Sequence, residues 1–229
     1  MHTISIFGLK GGTGRTTLTM ALASALVAQG RRVLVVDATD RATSGRAYTL
    51  TAWATRQHED GTARNALEAL PLTADGDLEE ALARAARRGI DIALIDTEAW
   101  PNAHHPVAAD TADLVLVPFL NWVEAETVSR RLEHAGETAP IFGVEAGADR
   151  DELRRRRALR SFGGPTLRTA LPRSDVFARM PGMGRLDRLV AALDDPEAAK
   201  GQAWVAAQEL ATEVLWLLQG FALKPAVSD

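Results

Sequence analysis

TISIFGLKGGTGRTT, residues 3–17, is an apolar β-run that breaks into a glycine-rich turn and then opens a helix on a pair of hydroxyls. Ile4, Ile6 and Phe7 read as a buried strand. Gly11, Gly12 and Gly14 let the backbone turn tightly and aim several N–H groups into one concavity. Beyond Thr16 and Thr17, Leu18, Ala21, Leu22, Ala25 and Leu26 keep the i, i+3, i+4, i+7 spacing of an amphipathic helix. That helix brings its positive dipole end to the same place, so strand, turn and helix together form a phosphate cradle.

Working outward, residues 32–37 (RVLVVD) and 90–96 (IDIALID) are apolar runs that each end in an acid. Near-continuous Val, Ile and Leu marks strands covered on both faces, as in a parallel sheet. Residues 114–119 (LVLVPF) and 140–144 (PIFGV) predict further strands, and 166–171 (TLRTAL) a weaker one. Helical patterns fill residues 42–57, 77–88, 123–134 and 149–161, and 58–64 (HEDGTAR) reads as an exposed connection. The predicted fold is α/β: a doubly wound, mostly parallel sheet with helices on both faces, in one domain over residues 1–229. Ligands of such sheets sit beyond the carboxyl ends of the strands, where the glycine loop, Asp37 and Asp96 all emerge.

Composition narrows the classes. The chain has 229 residues, enough for an ample core, and no cysteine, which removes disulfides and thiolate metal sites. It enters its first strand at once and holds no apolar run long enough to span a membrane, which predicts a cytoplasmic protein. Net charge is −4, so contact with nucleic acid requires a local basic patch. Lysine occurs only at Lys10, Lys200 and Lys224 in an arginine-rich chain. Its retention at Lys10 suggests a need there for a compact ammonium, whereas Arg15 follows the general bias.

The order Lys10, Gly11, Gly12, Thr13, Gly14, Arg15, Thr16, Thr17 resembles the deviant Walker A loop of the ParA/MinD family, with Arg15 where lysine is the rule. The resemblance implies a SIMIBI-type P-loop NTPase that binds ATP and Mg²⁺ through those eight residues. It implies that Lys10 reaches the phosphates of a nucleotide in a partner subunit, and that Thr16 and Asp96 hold the metal. Asp37 matches the first acid of the family's D-x-D pair and joins the metal and catalytic set. Thr39 stands at the second acid's position, with Asp40 next to it as a substitute. Residues 111–120 and 170–187 also resemble family segments, and place Pro172 and Arg173 beside the adenine, while Phe142 and Gly143 occupy the place of the usual asparagine. Arginine is planar and larger than lysine, and the second acid is missing. The catalytic set of Lys10, Arg15, Asp37 and Asp40 therefore predicts nucleotide binding with slow turnover.

Residues 149–160 (DRDELRRRRALR) form the conspicuous basic run. On a helix Arg150, Arg154, Arg157 and Arg160 share a face, partly neutralised by Asp149, Asp151 and Glu152. Small ParA proteins bind DNA without sequence preference through such residues, which makes Arg154, Arg157 and Arg160 the candidate DNA contacts, with Arg168, Arg179 and Arg185 as weaker additions. The C-terminal helix, residues 202–221, carries Leu210, Val214, Leu217, Leu218 and Phe221 along one face but has no cation before Lys224. Core packing or a dimer contact suits it better than a membrane surface. His104 and His105 lack a third metal ligand and read as switch-loop or surface residues. Trp100 and Trp122 read as dimer anchors or as buried side chains.

The resemblance implies a ParA-type partition ATPase: an ATP-bridged homodimer on non-specific DNA, nucleoid-associated, released by a ParB-like centromere-binding partner. A ParA-like accessory factor for polar positioning, conjugal transfer or cellulose secretion is the second expectation. A small-molecule P-loop kinase or synthetase is the third, against which Lys10 weighs.

Overall fold

The computed structural model describes residues 1–39, 50–59, 66–72, 77–98, 105–132, 139–148, 151–192 and 200–222. Among these described residues, seven parallel strands are β1 (His2–Ile6), β2 (Val33–Ala38), β3 (Leu67–Pro71), β4 (Ile92–Thr97), β5 (Leu114–Phe119), β6 (Ile141–Ala148) and β7 (Leu171–Pro172), in the order β3-β2-β4-β1-β5-β6-β7. The helices are α1 (Arg15–Ala28), α2 (Leu50–Glu59), α3 (Leu78–Arg87), α4 (His105–Asp110), α5 (Trp122–Leu132), α6 (Glu152–Ser161), α7 (Asp175–Met183) and α8 (Leu186–Ala191). A π-turn (Lys200–Trp204) then leads into α9 (Val205–Ala222).

Alternation along the strands divides the core into two layers. Val33 and Val35 pack in the layer that holds α1 and α9, whereas Leu34 and Val36 pack against α3, with α5 and α6 further along the same face. Leu210, Val214 and Leu218 of α9 are buried in the first layer, so this helix covers the sheet, while Trp216 on its outer side is 70% exposed. Among the described residues, no helix is long and apolar enough to cross a membrane.

Several boundaries differ from the sequence reading. β3 falls in a segment that the pattern left unassigned, because Glu68 and Pro71 interrupt its apolar run. As an edge strand paired only with β2, it tolerates both. The strand expected over 166–171 reduces to a bridge between Gly143 and Thr166 followed by the two residues of β7. The helix expected over 149–161 starts at Glu152, because Asp151 caps it by accepting from Leu153 N and Arg154 N. α2 runs from Leu50 to Glu59, two residues past the expected end, and the earlier part of the 42–57 pattern lies outside the described residues.

Candidate functional site

Three strands deliver the site to one edge. Ile6 of β1 pairs with Asp96 of β4, which pairs with Asp37 of β2, so the two acids stand side by side where the glycine loop leaves β1. Loop, acids and the start of α1 enclose a cavity of about 290 Å³ lined by Gly11, Gly12, Gly14, Thr16, Thr17, Asp37, Thr39, Asp96 and Glu98, with Arg15 in its wall. Gly12 and Gly14 have φ of 84° and 92°, a conformation that only glycine adopts without strain. Gly14 sits at the N-cap of α1 with no side-chain cap, and the first turn holds no acid. The helix therefore presents uncapped N–H groups to the cavity, which an anion would satisfy.

Asp96 is buried. Its Oδ2 accepts a 2.6 Å hydrogen bond from the Thr16 hydroxyl, and its Oδ1 has no partner among the described residues. Burial pushes its pKa from 3.8 up to about 7, and neighbouring Asp37 and Glu98 add to the rise, while Thr16 and Arg15 oppose it. An orphaned carboxylate oxygen next to a hydroxyl, at the wall of an amide-lined cavity, fits a hard divalent cation with phosphate oxygens. Asp37 is also buried but already engaged: Thr39 donates its hydroxyl to Oδ1 at 2.7 Å, and Thr51 approaches Oδ2 at 3.4 Å.

The two basic residues of the loop part company. Arg15 is buried and donates to the Thr97 carbonyl at 2.8 Å, tying the loop to the end of β4. A Cβ on Gly8 would lie 2.9 Å from Thr13 Oγ1 and 3.0 Å from Arg15 Cδ, so this close crossing needs glycine there. Lys10 stands outside the cavity, with Nζ 2.8 Å from Glu124 of α5. Thr13 is buried beneath the loop. Asp40, Trp100, His104 and Arg150 lie outside the described residues.

A second cavity of about 520 Å³ opens beyond β5, β6 and β7, lined by Arg154, Arg155, Arg157 and Arg173 together with Trp122 and Glu145. The Arg157 guanidinium lies 3.7 Å from the centroid of the Trp122 ring. Arg155 binds the buried Glu145 at 2.8 Å. Arg173, expected with Pro172 beside the nucleotide base, thus joins the arginines of α6, while Pro172 ends β7 half-buried. Arg160 is exposed in the last turn of α6. Arg185 is withdrawn from the basic set, being buried at the start of α8 against Asp187.

Sequence reasoning missed Glu124 and Arg155. Glu124 had a signal in the N-x-x-E spacing of residues 121–124, a capping pattern that the structure realises when Asn121 accepts from Val123 N and Glu124 N. Arg155 had none, because its role depends on Glu145 across the layer.

A parallel sheet of this order, with the glycine loop after β1 and an acid ending β4, defines a P-loop ATPase fold of the ParA/MinD class. The MinD cell division protein of Aquifex aeolicus matches it with TM-score 0.65 and 20% identity, over 94% of this chain and 97% of that one. A ParA family ATPase from Chlorobium tepidum TLS matches with TM-score 0.62 and 14% identity, over 92% and 97%. More narrowly, the chain belongs to the VirC1 protein family, whose match covers residues 1–125. It is 30% identical over 118 residues to the protein virC1 of Rhizobium rhizogenes, a match that spans 52% of this chain and 48% of that relative.

Proposed function

We propose that the chain binds ATP with Mg²⁺ in the glycine-loop cavity, and forms a nucleotide-bridged homodimer that contacts DNA through the arginines of α6. One observation carries most weight: the uncapped start of α1 and the unpartnered Asp96 Oδ1 meet in one cavity. In this reading the loop amides of residues 11–14 cradle the phosphates, Thr17 supports the α-phosphate, and Thr16 with Asp96 hold the cation. Mg²⁺ would neutralise phosphate charge there. Asp37, close to that pair in register, supports the metal from the side; Arg15 braces the loop against β4. Lys10, on the outer rim, would reach the nucleotide of a partner subunit.

Turnover is expected to be slow. The Thr39 hydroxyl engages Asp37 where a second acid would orient water, and the Arg15 guanidinium is held by a backbone carbonyl. Those same two features favour, as a second reading, an accessory factor whose nucleotide state controls docking to a partner with little hydrolysis. A ParB-like partner belongs to the first reading only.

Gel shift and light scattering with arbitrary duplex DNA test the proposal. ATP with Mg²⁺ is expected to drive dimerisation and, with it, salt-sensitive DNA binding. Dimerisation without DNA binding at low salt would favour the accessory-factor reading. No response to ATP by either measure would refute both.

A further inference from the structure

Lys10 is the loop's exposed cation, yet it is not left in solvent. Its Nζ lies 2.8 Å from Glu124 Oε1, with the lysine side chain 63% exposed and the glutamate 12%. Glu124 is fixed from three directions. It sits in the first turn of α5, where a carboxylate is favoured by the helix dipole. Its backbone N–H is held by Asn121 Oδ1 at 3.1 Å, and its Oε2 accepts from Leu120 N at 2.9 Å. A nearly buried, fixed carboxylate thus grips an exposed lysine on its own subunit.

We infer that Glu124 is a positioning residue that restrains Lys10 within the nucleotide-free subunit, so that forming the ATP-bridged dimer requires Lys10 to leave it. This rests on the reading of Lys10 as a cross-subunit contact. The magnitude suits a restraint: an ion pair with one exposed partner contributes little, so the phosphates of a nucleotide displace it readily. It still counts twice, because a symmetric dimer must free both copies.

Glu124→Gln tests the restraint while keeping an acceptor for Leu120 N. The nucleotide-free variant should show Lys10 reacting about threefold faster with a dilute amine-acylating reagent, by peptide mass spectrometry, with Lys200 and Lys224 as internal standards. Sedimentation at graded ATP should show a dimerisation constant raised about tenfold, the product of two threefold effects. Adding Glu124→Gln to Lys10→Ala should change nothing further, which a general loosening of α5 would not reproduce. If the parent dimerises with ATP and Glu124→Gln needs as much ATP or more, the restraint is overturned and the dimer reading stands. If the parent stays monomeric at saturating ATP, the dimer reading falls and the inference falls with it.

Discussion

Two cavities open on the carboxyl edge of one sheet, and they handle charge in opposite ways. The first is built from glycine backbone, hydroxyls and the acids Asp37, Asp96 and Glu98. The second is built from four arginines around one buried glutamate. Backbone amides and carboxylates together suit an anion that arrives with its own cation. Guanidinium groups suit bare phosphate, because they bring the neutralising charge themselves. On the proposed reading, the contrast separates a site for a metal–nucleotide complex from one that answers to polyanions in general.

The sharpest break between them is in their response to pH. Asp96 has its pKa raised by burial from 3.8 to about 7, so the folded, nucleotide-free state holds that proton more tightly than the unfolded chain. Its contribution to stability is complete below pH 3.8 and is lost as pH rises through about 7. Above that, the buried charge costs up to about 4 kcal/mol by linkage. Asp96→Asn should therefore stabilise the nucleotide-free protein at pH 8.5 and give no such gain near pH 4. Urea denaturation at both pH values checks this, and an equal effect at the two would contradict it.

Next in size is the cradle. Gly12 has open space where a Cβ would stand, but at φ 84°. Gly12→Val should leave the fold in place and remove two or three amide contacts worth about 1 kcal/mol each, a loss of about a hundredfold in Mg-ATP affinity by calorimetry. Arg157→Ala should leave that affinity unchanged. If both variants lose nucleotide equally, the two cavities do not act independently.

A smaller effect is expected on the arginine side. Arg155→Ala strips the buried Glu145 of that ion pair and should destabilise by about 2–3 kcal/mol, at or below the range for breaking a buried pair because Arg155 is partly exposed. Replacing both partners by apolar residues, Arg155→Met with Glu145→Leu, should restore most of the loss. The smallest effect is electrostatic: each of Arg154, Arg157 and Arg173 changed to Ala should lower the salt slope of DNA binding by about one unit if it contacts a phosphate. Changes to the glycine loop should leave that slope alone once the dimer is formed.

The first cavity was legible in the sequence and the second was not, for a physical reason. The glycine loop is continuous in the chain, and Asp37 and Asp96 end apolar runs whose parallel pairing sets them level, so local pattern carries the geometry. The arginine cavity is assembled from β6, α5, α6 and the residues that follow β5 and β7, and only the helix-borne arginines share a local period. Arg173, which the resemblance places beside the nucleotide base, follows β7, whose two residues pair with β6 at the sheet edge, and so lines this cavity together with the arginines of α6. β3 escaped notice because an edge strand needs no continuous apolar run. Glu124 lay within a readable cap, but its grip on Lys10 depends on how α5 sits beside the loop.

The coupling between Asp96 and Mg-ATP tests the central claim most directly. Calorimetric titration in two buffers of different ionisation enthalpy counts the protons released on binding. The first cavity, as described, predicts one Mg-ATP bound per chain at micromolar to millimolar strength. It also predicts release of most of one proton near pH 6, falling to almost none at about pH 8.5, as the cation displaces the proton that burial left on Asp96. No binding at millimolar Mg-ATP, or a proton count that does not change between those pH values, would contradict it.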